Sequence, residues 1–296
     1  MTAEVMTFGV NLSFAVKRWP EPEVWAAFVR EELGVTLVQF SFDLLEPWWP
    51  EELSRPLAKR VRAAVQAEGL ELHSAFVGLS AYTFNALLHP ETEGRRAAVR
   101  WFERAADLAA EMGAGAVGGP VGGVSVSGGG DAERRYDGLI HDLGVLTGHA
   151  KQAGLTAWLI EPTPLKREVP WTAEGAEKLL MDLQGVAALP VRYALDIGHA
   201  LYRPLYGEEA GLGPWLGLRD RIGLVHLQQT DGLSDSHWGF TRPGVVNVAR
   251  VAEQVRAAGL DVPLVLEVFY PFEQSDESVQ RDVIESARHC RAALSV

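Results

Sequence analysis

Eight short runs of β-branched, aromatic and aliphatic residues recur along this chain, and a longer segment of different spacing separates each from the next. The runs are Thr7–Leu12, Thr36–Phe40, Leu70–Phe76, Ala116–Gly118, Thr156–Glu161, Val191–Asp196, Ile222–Leu227 and Leu264–Phe269. Between them apolar residues fall three and four apart, as in Val24, Phe28, Val29 and Leu33, or Val248, Val251, Val255 and Ala258. That is the period of a helix with one buried face. Pro20-Glu-Pro-Glu23 and Thr172-Ala-Glu-Gly175 carry helix-start signals, and Gly69, Gly113, Gly154 and Gly259 mark helix ends shortly before a strand.

Strands that alternate with helices build a parallel sheet, because each helix is the crossover that returns the chain to the same direction. Eight such units without a break in composition fit one (β/α)8 TIM barrel, a single domain over residues 1–296. A doubly wound open sheet is the competing arrangement. It usually opens with a glycine-rich phosphate loop after its first strand, and here that strand runs into Asn11-Leu-Ser-Phe-Ala-Val-Lys17. The stretch Gly118–Gly130 does not open a helix in that pattern and reads as a flexible or close-packed loop after the fourth strand.

The chain is 47% hydrophobic and 22% charged, so a large core is available without disulfides, and its one cysteine, Cys290, can form no intrachain bridge. This suits a reducing cytoplasm. The net charge is −12 and basic residues form only short, mixed stretches such as Arg134-Arg135, which argues against a nucleic-acid partner. The start Met-Thr-Ala-Glu-Val-Met lacks the basic and apolar regions of a secretion signal. No apolar stretch approaches the ~18 residues of a membrane span.

Four strands of the second half end in, or carry near their end, a metal-binding side chain: Glu161, Asp196, His226 and Glu267. Their separations are each about one strand-plus-helix unit, which brings them to one end of a barrel, where the βα loops and catalytic groups lie. A carboxylate at the end of a buried strand is costly unless it is paired or metal-bound. One alone is explained by a lysine or arginine partner, or by a solvated loop. Two glutamates, one aspartate and one histidine together form an oxygen-rich set that suits Mn²⁺, Mg²⁺ or Co²⁺ better than structural zinc.

In Asp196-Ile-Gly-His199 the aspartate closes the strand and the histidine leans over the same mouth, toward a substrate hydroxyl or the metal. His73, on the third strand, either lines the pocket or packs within the strand layer. Lys17, Arg167 and Arg242 follow strands one, five and seven and are candidates for a terminal phosphate or outer hydroxyls; the alternative for each is a solvated surface charge. Trp48, Trp49, Trp171 and Trp238 lie in loops of the same predicted face, where aromatic walls can cover the C–H faces of a sugar.

These residues together resemble the xylose isomerase-like TIM-barrel superfamily, and within it the sugar (phosphate) isomerase and epimerase branch that includes the tagatose/psicose 3-epimerases. The resemblance implies one divalent ion held by Glu161, Asp196, His226 and Glu267. It also implies that Glu161 and Glu267 exchange a proton on opposite faces of a ketose through a metal-stabilised enediolate, and that His199 contacts substrate. The ketohexose epimerases carry an acidic residue and an arginine just after the strand-seven histidine. This chain departs from them with His226-Leu-Gln-Gln-Thr-Asp231 and then Ser236-His237-Trp-Gly-Phe-Thr-Arg242.

The segment Glu161-Pro-Thr-Pro-Leu-Lys-Arg-Glu168 is similar to the branch of tetrulose-phosphate epimerases and D-apiose isomerases. Glu168 and His237 therefore join the candidate substrate-binding residues. The implied substrate is a small ketose or ketose phosphate of four to six carbons, a tetrulose phosphate ahead of the others. An aldose–ketose isomerase results if the proton returns to the neighbouring carbon. Two other functions compete: an abasic-site endonuclease-like hydrolase, which the acidic balance opposes, and a non-catalytic barrel without a metal. A homodimer or homotetramer is expected, with the loop Leu201–Leu218 able to supply an interface.

Overall fold

A computed structural model describes residues 6–127 and 132–294 of the chain; Met1–Val5 and the Gly128–Gly130 end of the glycine-rich loop lie outside the described residues. Each of the eight expected runs carries a strand: β1 Phe8–Asn11, β2 Leu37–Ser41, β3 Glu71–Phe76, β4 Ala116–Gly119, β5 Ala157–Ile160, β6 Val191–Asp196, β7 Ile222–Leu227 and β8 Leu264–Leu266. They close into a barrel in sequence order. The described registers are parallel throughout, for example Gly118↔Leu159 between β4 and β5 and Leu227↔Leu266 between β7 and β8. The fifth and eighth strands are shorter than their apolar runs, so Glu161 and Glu267 stand one residue past the strand ends. Glu267 still donates its N–H to the Leu227 carbonyl at 2.9 Å, which holds its backbone at the barrel rim.

Long helices follow four of the strands: Glu51–Ala67, Thr92–Met112, Ala132–Ala153 and Asp276–Leu294, with shorter ones at Pro22–Phe28, Ala173–Asp182 and Val248–Ala257. The expected start at Thr172 is present, its hydroxyl accepting the Gly175 N–H at 3.0 Å. Gly113 (φ 90°) and Gly154 (φ 99°) end two of the long helices in the left-handed region, where a Cβ is strained. After β6 there is no long helix. The Leu201–Leu218 segment instead makes one-turn pieces, Arg203–Tyr206 and Gly213–Leu216, because Pro204, Pro214 and four glycines break any longer run. Among the described residues no helix is long and apolar enough to cross a membrane.

The chain's contacts gather into two compact units, the first built on the residues up to Phe40, Ala63–Leu72 and those from Ala194 onward, the second on Ser41–Arg62 and His73–Tyr193. In the first, Val10, Val38, Leu224, Val225 and Leu264 are fully buried, and Trp25 packs 6.5 Å from Phe40. In the second, the rings of Trp101, Phe102 and Trp158 form a chain with centroids 5.1 and 5.6 Å apart. Tyr193 is also buried, and its hydroxyl donates to the Ala176 carbonyl at 2.6 Å, tying β6 to the helix that precedes it.

Trp158 is fully buried, yet its indole N–H has no acceptor among the described residues. Replacing it therefore loses packing and no hydrogen bond. Trp158→Ala should cost about 3–5 kcal/mol in denaturant unfolding. Trp158→Phe should cost clearly less, because it keeps the ring contact with Phe102 and removes an unsatisfied donor; equal losses for the two would contradict this.

Candidate metal centre and active site

Glu161, Asp196, His226 and Glu267 are brought together: each offers one ligand atom, and these atoms lie within 4.8 Å of one another. All four are buried, His226 completely. The strands explain this. Asp196 is the last residue of β6, His226 lies in β7, and Glu161 and Glu267 directly follow β5 and β8.

Asp196 uses its two oxygens differently. Oδ1 accepts the backbone N–H of His199 at 2.8 Å and the Gln228 amide at 2.7 Å. The first of these bonds is the N-cap of the one-turn helix Ile197–Ala200, so the Asp-x-x-His spacing is what locks the carboxylate. Oδ2 is buried and has no hydrogen-bond partner among the described residues; His226 Nδ1 lies 4.0 Å away. On Glu267, Oε1 accepts from the Asn11 amide at 2.8 Å, while Oε2 lies 3.1 Å from His226 Nδ1 and 3.5 Å from His237 Nδ1. Burial pushes the Glu267 carboxyl up, but the neighbouring His226, His237 and His199 outweigh it and hold it below the usual carboxylate range.

Among the described residues neither Asp196 nor Glu267 is paired with a lysine or arginine; their partners are amides, a backbone N–H and histidines. A buried carboxylate oxygen without a donor is costly. A divalent cation among these groups would satisfy Asp196 Oδ2 and the facing Glu267 Oε2. The donor set, three carboxylates and one imidazole, is hard enough for Mg²⁺ or Mn²⁺ and has the nitrogen that Mn²⁺ and Co²⁺ accept. The residues fit a divalent metal.

Beside this tetrad, His199 Nε2 and His237 Nε2 lie 3.2 and 2.9 Å from Asp235 Oδ1. Their rings meet edge-on with centroids 5.6 Å apart, and His237 also packs edge-on against Phe269 at 4.8 Å. Partial burial pushes the Asp235 carboxyl up, but the two histidines hold it well below the usual range. Burial lowers His237 and Asp235 more than reverses that, lifting it to about 9. Asp196, His199 and His237 form a second group with metal-ligand spacing. His237 occupies a left-handed backbone conformation (φ 44°), which aims its ring inward from the loop after β7.

The remaining predicted residues are placed as follows. Glu168 is buried and accepts from the hydroxyls of Thr163 and, at 3.3 Å, Tyr82. Arg167 lines a cavity of about 380 Å³ with Tyr82, Asn85, Val124 and Glu168. Lys17 is exposed in a left-handed conformation (φ 65°), its ammonium 4.7 Å from the Phe272 ring centre. Arg242, also exposed, stacks over Trp238 at 5.3 Å. His73 is half-buried in β3 with Nδ1 3.1 Å from the Ser74 hydroxyl, and belongs to neither metal-spaced group.

Sequence reasoning missed Asn11, Gln39, Gln228 and Asp235. Asn11 and Gln39 were detectable by the rule that found Glu161: each is a polar residue in or at the end of an apolar strand, in Val10-Asn11-Leu12 and Val38-Gln39-Phe40. Asp235 sits in a polar loop with no pattern to mark it.

The profile of the xylose isomerase-like TIM barrel family matches residues 29–291. A Brucella abortus protein named D-erythrulose 1-phosphate 3-epimerase is 24% identical over 241 residues, 80% of this chain and 77% of that protein. A crystal structure from Rhodospirillum rubrum, provisionally named a xylose isomerase, is 40% identical with TM-score 0.93 and covers 97% of this chain and 99% of its own. An L-ribulose 3-epimerase structure shares the fold at 22% identity and TM-score 0.71, covering 98% and 93% of the two chains.

Mn²⁺ added to chelator-stripped protein should raise the thermal midpoint. Saturation at about a hundred times Kd is worth about 2.7 kcal/mol, or roughly 4 °C for a chain of this size. Asp196→Asn should abolish most of that shift without lowering the metal-free midpoint by a comparable amount. An undiminished shift in the variant would place the ion elsewhere.

Proposed function

Because the chain belongs to the xylose isomerase-like TIM barrel family, we propose that it is a divalent-metal-dependent isomerase or epimerase of a small ketose or ketose phosphate. A tetrulose phosphate is the first substrate to consider. The observation that carries this reading is the buried tetrad: two glutamates from different strands grouped with an aspartate and a histidine that suit a divalent ion. The Brucella abortus relative named D-erythrulose 1-phosphate 3-epimerase supports the phosphorylated four-carbon substrate.

Glu161, Asp196, His226 and Glu267 would hold the ion. When bound, it supplies Lewis-acid polarisation of a carbonyl and stabilises the negative charge that develops when a neighbouring C–H is lost. The chain's own groups then do the proton chemistry. Glu267, held below the usual carboxylate range, is ionised and is the base for the carbon-bound proton, with its carboxylate oriented by the Asn11 amide. Glu161 delivers a proton to the opposite face of the same carbon, which inverts it. His199 and His237, both tied to Asp235, present ring nitrogens for substrate hydroxyls. Lys17, Arg167 and Arg242 are the cations available for a terminal phosphate. Return of the proton to the neighbouring carbon would give an aldose instead.

Exchange of substrate C–H for deuterium, followed by NMR over tetruloses, pentuloses and their phosphates with and without EDTA, tests the reading. Chelator-sensitive exchange with one of them is expected. Its complete absence across the panel, with metal bound, would contradict it. Glu161→Gln and Glu267→Gln should each lower turnover by about 10²–10⁴, the range of a lost general acid or base. Turnover near normal in either variant would refute the two-glutamate mechanism.

A further inference from the structure

Two amides not included in the tetrad connect it to the barrel backbone, and the polarity of each bond in the connection is fixed. Asn11 ends β1, and its Oδ1 accepts the backbone N–H of Ser13 at 2.8 Å. A backbone N–H can only donate, so the other terminal atom of the Asn11 amide is the NH₂ group. Its two hydrogens go to Gln39 at 2.6 Å and to Glu267 Oε1 at 2.8 Å. Gln39, the register partner of Asn11 on β2, must therefore turn its oxygen toward Asn11. That same oxygen lies 2.8 Å from His226 Nε2. An amide oxygen cannot donate, so Nε2 must carry the proton. All four side chains are buried, which leaves little water to offer an alternative partner.

We infer that Asn11 and Gln39 are positioning residues that fix the tautomer of His226, with the proton on Nε2 and Nδ1 turned toward Glu267 and Asp196, and fix the orientation of the Glu267 carboxylate by the same amide. The inference rests on the tetrad being a metal site, since it is a ligand nitrogen that the relay keeps available. Nδ1 is the ring atom that faces Glu267 Oε2 at 3.1 Å and Asp196 Oδ2 at 4.0 Å. The opposite tautomer would put a proton where the ion belongs and set Nε2 against the Gln39 oxygen, lone pair to lone pair. A hydrogen bond from the far side of a ligating histidine both orients the ring and raises its basicity. Here the acceptor is an amide, itself oriented by a second amide and finally by a backbone N–H in the turn after β1.

The test is the protonation of His226 Nε2, read from two-bond correlations in ¹⁵N-histidine-labelled protein, with the signals assigned by their loss in His226→Asn. A proton on Nε2 is expected in chelator-stripped protein and after Mg²⁺ addition, with the Nδ1 shift moving on addition. A bare Nε2 in either state overturns the inference. Gln39→Met removes the acceptor at similar volume and should weaken Mn²⁺ binding, measured by chelator competition, about 10–100-fold. Gln39→Glu keeps an acceptor and should restore binding to within a few-fold of wild type. Wild-type affinity in Gln39→Met also overturns the inference; should that variant not fold, the wild-type spectrum decides alone. Failure of the wild type to bind Mn²⁺ would instead overturn the metal reading itself, and the Nε2 spectrum would still judge the relay.

Discussion

His226 Nδ1 lies 3.1 Å from Glu267 Oε2 and 4.0 Å from Asp196 Oδ2, and among the described residues neither carboxylate meets a lysine or an arginine. Buried negative charge of this kind is stable only with compensation. The chain arranges everything nearby so that the compensation comes from the centre and not from the walls. Asp196 turns Oδ1 outward to the N–H of His199 and the Gln228 amide and leaves Oδ2 facing in. Glu267 gives Oε1 to Asn11 and leaves Oε2 facing in. His226 gives Nε2 to Gln39 and leaves Nδ1 facing in. Each of these groups is held on one side by a neutral donor or acceptor and faces the others on its second side.

The barrel makes this arrangement cheap to specify. Parallel strands in register put equivalent positions of neighbouring strands side by side, so Asn11 meets Gln39 and, one residue past the Val10↔Leu266 pair, Glu267. Beyond the strands, the Asn11 contacts need only the short turn after β1, whose Ser13 N–H orients the amide. The loops add the variable parts: Asp235 with His199 and His237 on one side, Arg167 and the Tyr82–Glu168–Thr163 contacts on another. A core of side chains set by strand register and a periphery set by loops is how one scaffold serves different sugars.

That division also explains what could be read from the sequence. The eight strands were legible because each is a compact apolar run between helical periods, and the four metal-spaced residues were legible because a charge at the end of such a run is conspicuous. The ends of the strands were less so: β8 stops at Leu266, although Val268 and Phe269 continue the apolar pattern, since pairing and not hydrophobicity sets the limit. Leu201–Leu218 reads as a loop in the sequence, and the structure has no long helix there, its prolines and glycines breaking any longer run. Asn11 and Gln39 were hidden by being uncharged; an amide in a strand costs less than a carboxylate and so draws less notice. Asp235 and the inward turn of His237 depend on a loop conformation, including a left-handed residue, that no local pattern encodes.

The central claim is that one divalent ion sits among Glu161, Asp196, His226 and Glu267, and it is tested most directly by locating that ion. Crystals grown with Mn²⁺, and measured for anomalous scattering, should show one strong peak within coordination distance of all four side chains, with His226 bound through Nδ1. A peak held instead by Asp196, His199 and His237, or His226 bound through Nε2, would contradict the account.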